Sequence, residues 1–175
     1  MSTEVDDTVP TSGITSGITS GIEKVGVVGC GLMGAGIAEV CARAGQDVVV
    51  VESSDEAAKA GRGRLETSLR RAAERGKIPD ADVVLERIRV ESDLAQLADR
   101  DLVVEAIVED EDAKTALFRA LDEIVTSPEA ILASNTSSIP IMKLAVVTHR
   151  PAQVMGIHFF NPVPVLSLVE LVPSL

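Results

Sequence analysis

The feature that most constrains the fold is a glycine-rich run at residues 25–36, which reads V-G-V-V-G-C-G-L-M-G-A-G. Within it, Gly29, Gly31 and Gly34 have the spacing G-x-G-x-x-G. An apolar segment at 24–28 precedes these glycines, and a segment with helical spacing of apolar residues follows them. A glycine turn between a strand and a helix lets the chain turn sharply and exposes the first N–H groups of the helix. The pattern therefore predicts an α/β domain that begins with a phosphate-binding turn.

Strand-like and helix-like segments alternate along the rest of the chain. Short apolar runs predict strands, and longer segments with apolar residues every three or four positions predict helices. This alternation predicts a doubly wound, mostly parallel sheet with helices on both faces, the Rossmann-type arrangement. The predicted strands lie at 24–28, 47–51, 88–90, 102–107, 130–134, 153–157 and 165–172, and the predicted helices at 33–44, 55–75 and 111–125. The apolar stripe of the third helix is formed by Ala113, Ala116, Leu117, Leu121 and Ile124.

Composition limits the classes of protein to which the chain can belong. Its 175 residues, 46% of them hydrophobic, suffice for one domain with a core. The net charge of −11 disfavours nucleic-acid binding, because an acidic surface repels phosphate backbones. We find no apolar run long enough to cross a membrane, no secretory leader and no disulfide framework. The expectation is a cytoplasmic protein without a metal cofactor.

An acidic residue completes the sequence pattern of dinucleotide binding. Glu52 follows the second predicted strand and lies 18 residues after Gly34. A carboxylate at this position accepts hydrogen bonds from the hydroxyls of the adenosine ribose and would repel a 2′-phosphate. Since Ser53 and Ser54 add no positive charge, NAD is expected rather than NADP. The alternative is a generic strand–turn–helix unit followed by a solvated glutamate.

Two residues near the end of the chain are candidates for acid–base chemistry. His158 ends an apolar strand, and the carboxyl ends of parallel strands face the ligand crevice. Glu170 lies in the run V-L-S-L-V-E-L-V, where burial of an unpartnered carboxylate would be costly. The prolines of the intervening N-P-V-P segment would let the chain fold back and bring Glu170 beside His158. Such a carboxylate on one imidazole nitrogen leaves the other nitrogen to move a proton. A purely structural histidine is the alternative.

Several of these segments resemble the L-3-hydroxyacyl-CoA dehydrogenase family, and its bacterial 3-hydroxybutyryl-CoA members most. The resemblance begins at about Ile22 and is carried by G-C-G-L-M-G-A-G-I-A, S-N-T-S-S, G-I-H-F-F-N-P-V-P-V and L-V-E-L-V. It implies NAD as the cofactor and an acyl-CoA as the substrate. The implied reaction interconverts (S)-3-hydroxyacyl-CoA and 3-oxoacyl-CoA in fatty-acid or butanoate metabolism.

The resemblance also implies roles for individual residues. His158 would be the general base, Glu170 would orient it, and Ser137 would bind the substrate oxygen. Taken from the residues alone, the hydroxyls of 133–138 could bind a substrate oxygen or nicotinamide, but capping of the following helix is the favoured interpretation. The positions implied to contact NAD are Gly29, Gly31, Leu32, Met33, Gly34, Glu52, Glu109, Lys114, Ser137 and Asn161, and those implied to contact the CoA phosphates are Ser68 and Arg75.

Spacing alone gives weaker interpretations of the charged candidates. Without the resemblance, Glu109 and Lys114 belong to a solvated loop and helix start. Ser68, Arg71 and Arg75 share one helical face by their spacing, which is equally consistent with a solvated basic face.

The family pattern extends beyond what this chain matches. Members continue into a helical C-terminal domain that completes the acyl pocket, forms a homodimer and supplies a catalytic asparagine. We therefore expect residues 1–22, with three T-S-G-I repeats at 11–22, to be a flexible tail and 23–175 to be the NAD-binding domain alone. A homodimer is expected for the full-length form. A non-catalytic NAD-binding module and a dehydrogenase of free hydroxy or sugar acids remain alternative functions.

Overall fold

The structure, a computed structural model, describes residues 21–174, so nearly all of the predicted tail lies outside the described residues. Within this range, strands and helices alternate as expected. The strands are β1 (Lys24–Val28), β2 (Asp47–Val51), β3 (Ile88–Glu91), β4 (Leu102–Glu105), β5 (Ile131–Ser134), β6 (Val154–Phe159) and β7 (Val169–Pro173). The α-helices are α1 (Leu32–Arg43), α2 (Asp55–Glu74), α3 (Ala81–Leu85), α4 (Glu111–Ile124) and α5 (Ile141–Ala145), with 3₁₀ turns at Leu94–Leu97 and Pro151–Gln153.

All seven of these strands form one sheet in the order β3-β2-β1-β4-β5-β6-β7. Strands β1 to β6 are parallel, and β7 runs antiparallel to β6. The predicted Rossmann-type, doubly wound and mostly parallel sheet is confirmed. Because β1 pairs with β2 on one side and with β4 on the other, the strand order reverses there, and a ligand crevice is expected at the carboxyl ends of these strands.

Alternating valines of the central strands divide the core between the two faces of the sheet. Val25 and Val27 pack in an apolar cluster with residues of α1, α2 and α3. Val49 and Val103 pack in a second cluster with residues of α4 and α5. Both faces of a parallel sheet are therefore covered by helices, which is why its strands are continuous runs of small aliphatic residues.

The last predicted strand needs correction. Residues 165–168 form no strand, and β7 begins at Val169. β7 is one of the two edge strands of the sheet among the described residues, and all of its side chains are exposed. With 54% of its side chain exposed, Glu170 is not buried by its apolar neighbours, so the expected desolvation cost does not apply.

The described part of the chain has neither a membrane-spanning helix nor a cluster of metal-ligating side chains, and both of its cysteines are unpaired. No helix within residues 21–174 has the length and apolar character needed to cross a bilayer. Over the same residues, no group of three or more His, Cys, Asp or Glu side chains could hold a metal ion. Cys30 and Cys41 are both free thiols, and burial raises the pKa of each to about 11.

Candidate functional site

The glycine turn lies between β1 and α1, and two of its glycines are required by backbone packing. Gly29 has a φ of +91° and donates its N–H to the carbonyl of Val51 at 2.8 Å. A Cβ on Gly29 would lie 2.7 Å from the carbonyl oxygen of Ala106, and a Cβ on Gly34 would lie 1.9 Å from that of Gly29. No side chain fits at either position. The absence of side chains at Gly29 and Gly34 therefore lets α1 pack closely against the ends of β1 and β4.

Gly31 differs from Gly29 and Gly34, the other two glycines of the motif, because it faces open space. A Cβ built on Gly31 meets no atom within 4 Å. Gly31 is also the N-cap residue directly before α1, and no side chain caps the N–H groups of the first helical turn. These donors and the missing side chain fit the close approach of a pyrophosphate, as NAD binding requires. Leu32, 71% exposed, and the half-buried Met33 follow directly.

Glu52 connects the end of β2 to the glycine turn. Its Oε1 accepts a 2.6 Å hydrogen bond from the N–H of Cys30, and its Oε2 accepts a 3.2 Å bond from the N–H of Ser53. This carboxylate therefore holds the glycine turn, a role that the sequence did not predict, while its contact with a ribose stays a prediction. Glu52 borders a cavity of about 520 Å³ lined by apolar residues that include Val28, Leu94, Ile107, Val108 and Leu117.

A second cavity, of about 370 Å³, lies on the other side of Ala106 and Ile107, which line both cavities. It brings together candidates that are far apart in the sequence. The predicted site residues that line it are Met33, Glu109, Lys114, Ser137, His158 and Asn161. One cavity therefore contains the proposed base together with residues implied to contact the cofactor, and we refer to it as the His158 cavity.

His158 and Glu170 form the predicted pair. The Nδ1 of His158 lies 2.9 Å from Oε2 of Glu170, and the histidine side chain is 22% exposed. The ring of Phe160 packs beside the imidazole with the two ring centres 4.5 Å apart. Since Glu170 occupies Nδ1, the Nε2 atom is the one that can exchange a proton with a ligand.

Lys114 is buried, so its interpretation as a solvated residue is wrong. Its side chain is 1% exposed, and its Nζ lies 2.5 Å from Oε1 of the fully buried Glu105 and 3.2 Å from Oε2 of Glu109. Burial raises the pKa of Glu109, but hydrogen bonds from Thr136, Ser138 and Lys114 outweigh that effect and lower the pKa to about 2. Glu109 and Lys114 are therefore a fixed, charged pair at the edge of the His158 cavity.

The hydroxyls of the S-N-T-S-S segment do not cap the helix that follows. Helix α5 begins after Pro140 and has no side-chain cap. The hydroxyl oxygen of Thr136 instead accepts hydrogen bonds from the N–H groups of Ser138 and Ile139, at 3.2 and 3.0 Å. Ser137, which lies between Thr136 and Ser138, is exposed and lines the His158 cavity. The capping interpretation is wrong, and the geometry leaves Ser137 available to a ligand.

A third cavity, of about 690 Å³, lies between α1, α2 and residues 161–165. The predicted CoA contacts Ser68 and Arg75 both line it, but Ser68 already donates a 2.6 Å hydrogen bond to Oε2 of the buried Glu39. Five cationic side chains line this cavity, which makes it locally basic in a chain of net charge −11: Arg43, Arg64, Arg71, Arg75 and Lys77.

Sequence reasoning missed three residues that organise the site. Glu105 ends β4 and binds Lys114, and Thr136 donates its hydroxyl to Glu109. Asn135 accepts a 2.9 Å hydrogen bond from the N–H of Phe159 and so ties β5 to β6. The sequence carried a signal for Glu105, because it ends the apolar run L-V-V-E and a charge buried there needs a partner.

Comparison with known proteins gives consistent matches. The chain matches the family described as "3-hydroxyacyl-CoA dehydrogenase, NAD binding domain" over residues 24–175. It is 55% identical over 156 residues to a 3-hydroxybutyryl-CoA dehydrogenase of Mycobacterium tuberculosis, covering 88% of this chain and 54% of that protein. It is 42% identical over 161 residues to the human mitochondrial hydroxyacyl-coenzyme A dehydrogenase, covering 87% of this chain and 51% of that protein.

A solved structure agrees with these matches. The fold superposes on the crystal structure of (S)-3-hydroxybutyryl-CoA dehydrogenase PaaH1 from Ralstonia eutropha with a TM-score of 0.84 and 44% sequence identity, covering 89% of this chain and 55% of that one. The chain spans about half the length of the curated relatives it matches.

Proposed function

The chain belongs to the NAD-binding domain family of the 3-hydroxyacyl-CoA dehydrogenases, and on that premise we propose that it supplies the cofactor site and the acid–base pair of such an enzyme. The reaction is the interconversion of (S)-3-hydroxyacyl-CoA, with 3-hydroxybutyryl-CoA as the main substrate, and 3-oxoacyl-CoA. The observation that carries the proposal is that His158, paired with Glu170, lines a cavity that Glu109 and Lys114 also line.

The acid–base step uses the free nitrogen of His158. In the oxidative direction, Nε2 takes the proton of the C3 hydroxyl as the C3–O bond becomes a carbonyl. Bound NAD would supply the acceptor for the hydride that leaves C3. Glu170 keeps the other imidazole proton on Nδ1, which leaves the Nε2 lone pair free, and its negative charge stabilises the imidazolium that forms. Ser137 donates a hydrogen bond to the substrate oxygen.

The cofactor would be held along the crevice between the two smaller cavities. The N–H groups that follow Gly31 would bind its pyrophosphate, and Glu52, which lines the larger of the two cavities, would accept hydrogen bonds from its adenosine ribose. A 2′-phosphate there would be repelled by this carboxylate, which already binds the turn through Cys30. Glu109 and Lys114, which line the other cavity, would contact the nicotinamide half.

The third cavity is the proposed site for the CoA part of the substrate. Its cations attract phosphate groups although the chain as a whole is acidic, because opposite charges at short range outweigh the more distant, screened field. Arg75 and Arg71 are the phosphate contacts we propose from the face that they share with Ser68. For the complete protein we propose a cytoplasmic homodimer.

The test is acetoacetyl-CoA-dependent oxidation of NADH, measured on the complete product of the gene and on the 175-residue chain. We expect turnover by the complete product, and a raised KM for acetoacetyl-CoA in its Arg75→Ala variant. NADH binding without turnover by the complete product would support a non-catalytic module instead. Equal turnover of free 3-oxo acids would contradict the role of the basic cavity.

A further inference from the structure

A chain of buried hydrogen bonds begins at Glu105, on the cofactor side of the His158 cavity. Oε1 of Glu105 accepts a 2.5 Å bond from Nζ of Lys114. Oε2 of Glu105 accepts a 2.5 Å bond from the hydroxyl of Ser134, whose oxygen in turn accepts the N–H of Thr136 at 3.2 Å. Glu105 thus links the first turn of α4 to the S-N-T-S-S segment after β5.

Lys114 and Thr136, the two ends of this chain of hydrogen bonds, both contact Glu109. Nζ of Lys114 lies 3.2 Å from Oε2 of Glu109. Oε1 of Glu109 accepts a hydrogen bond from the hydroxyl of Thr136 and a 2.8 Å bond from that of Ser138. The contacts therefore close into a ring that runs from Glu105 through Ser134, Thr136, Glu109 and Lys114 back to Glu105, and we refer to it as the Glu105 ring.

Most of the Glu105 ring is inaccessible to water. Glu105 and Ser134 are 0% exposed, Lys114 is 1% exposed and Thr136 is 7% exposed. Loss of a hydrogen bond at one of these four residues removes a contact that water cannot easily replace, and a buried polar group left under-satisfied costs more than the bond itself contributes. The ring therefore favours one arrangement of its buried members, whereas Glu109 is 43% exposed.

Ser137 lies in the turn that the Glu105 ring fixes. The residues on either side of it, Thr136 and Ser138, both donate to Glu109. The Ser137 hydroxyl makes no hydrogen bond to another residue of the described range, although the hydroxyls of Ser134, Thr136 and Ser138 all do. The ring thus satisfies the neighbouring hydroxyls and leaves that of Ser137 to the His158 cavity.

We propose that Glu105 and Thr136 are positioning residues that hold the cofactor contacts Glu109 and Lys114 and the substrate contact Ser137 in one network. Loss of the Thr136 hydroxyl then weakens cofactor binding, although Thr136 does not line the His158 cavity. The substrate arm of this proposal rests on the proposed function. The cofactor arm does not, because it is measured with NADH alone.

The experiment measures NADH affinity of the 175-residue chain by calorimetry. Thr136→Val keeps the shape of the side chain and removes its hydroxyl, which donates to Glu109 and accepts the N–H groups of Ser138 and Ile139. We expect it to weaken NADH binding about tenfold, the size of effect that loss of a hydrogen bond to a charged group produces. Thr136→Ser restores the hydroxyl and should bind as the wild type does. The matched control is Thr148→Val, which removes another buried hydroxyl, bonded to the Ala145 carbonyl at 2.9 Å outside the His158 cavity, and should leave the affinity unchanged.

A double variant tests the coupling directly. If Thr136 acts through Glu109 and Lys114, Thr136→Val combined with Lys114→Met should weaken NADH binding by clearly less than the product of the two single effects. The proposal would be overturned if the loss of NADH affinity in the double variant equalled the product of the two single losses. It would also be overturned if Thr136→Val bound NADH with wild-type affinity. In the complete gene product, we expect Thr136→Val to lower kcat for acetoacetyl-CoA with little change in its KM.

Amide hydrogen exchange in the wild-type chain keeps the proposal testable if the valine variant does not fold. The N–H groups of Ser138 and Ile139 should be protected before NADH is added, since Thr136 holds both. Exchange at unprotected rates would overturn the proposal. Absence of NADH binding by the wild-type chain would contradict the cofactor site and the ring together, whereas NADH binding with the expected variant pattern but no turnover would contradict only the proposed reaction.

Discussion

His158 and Glu170 are direct register partners on β6 and β7, so the pairing of the two strands itself places the carboxylate beside the imidazole. Opposed residues on antiparallel strands have side chains on the same face and a few ångströms apart. The 2.9 Å contact therefore follows from the register and does not depend on the conformation of the loop at 160–168.

This relationship predicts the effect of Glu170→Gln. The amide keeps the shape but loses the charge that stabilises an imidazolium, so kcat for acetoacetyl-CoA reduction by the complete gene product should fall roughly 10- to 100-fold, less than in His158→Gln. The free energy of unfolding should change by less than about 0.5 kcal/mol, because the glutamate side chain is 54% exposed. Glu123→Gln, on the exposed side of α4, is the control and should alter neither quantity. A kcat unchanged by Glu170→Gln would exclude the acid–base role of the pair.

Gly34 and Gly31 should respond differently to the same substitution. Gly34→Ala places a methyl group 1.9 Å from a backbone oxygen that cannot move away, so we expect a loss of on the order of 3 kcal/mol in unfolding free energy, measured in urea.

Gly31→Ala meets no protein atom within 4 Å and should leave stability within about 0.5 kcal/mol of the wild type. Its added methyl group points to where the pyrophosphate approaches, so NADH affinity should fall at least about tenfold. Equal NADH affinity in Gly31→Ala and the wild type would place the pyrophosphate elsewhere.

Glu109 should make stability depend on pH in the acid range. Its pKa in the folded chain is about 2, below the ordinary value of 4.5, which it regains on unfolding. The stabilising contribution is therefore complete above pH 4.5 and is lost as the pH falls toward 2. With 43% of the side chain exposed, solvent screening keeps the effect small.

The measurement is the urea midpoint at about pH 5 and at about pH 3. The decrease between these two values should be smaller in Glu109→Gln than in the wild type. Asp99→Asn is a useful comparison, because hydrogen bonds from Lys24 and Arg100 lower the pKa of Asp99 to about 2 at a surface remote from the His158 cavity. An identical decrease in Glu109→Gln and the wild type would contradict the low pKa of Glu109.

Local spacing was enough to predict the sheet, the glycine turn and the pair of His158 and Glu170. A G-x-G-x-x-G turn acts within a few residues, and two apolar runs separated by prolines form a hairpin from neighbouring sequence. The prediction of burial for Glu170 was wrong because periodicity does not tell which strand is the edge of a sheet.

The contacts of α4 could not be predicted in the same way. The apolar stripe assigned to this helix includes Ala116, which is exposed, whereas Lys114 and Asp122 are buried. Each buried charge depends on partners distant in sequence: Glu105 for Lys114, and Arg150 for Asp122. Hydrophobic periodicity treats a charged residue as solvated, so only the three-dimensional pairing reveals which face of the helix is inside.

The buried pair of Lys114 and Glu105 gives a last prediction about stability. Lys114→Met leaves the fully buried carboxylate of Glu105 with the hydroxyl of Ser134 and the N–H of Ile107 as its remaining donors and no compensating charge. Loss of one partner of a buried ion pair costs roughly 3–5 kcal/mol of unfolding free energy. Adding Glu105→Gln to Lys114→Met removes the uncompensated charge while the amide oxygen still accepts a hydrogen bond, so the double variant should recover at least half of the loss in urea denaturation. A double variant less stable than Lys114→Met alone would show that Glu105 contributes through its hydrogen bonds rather than through its charge.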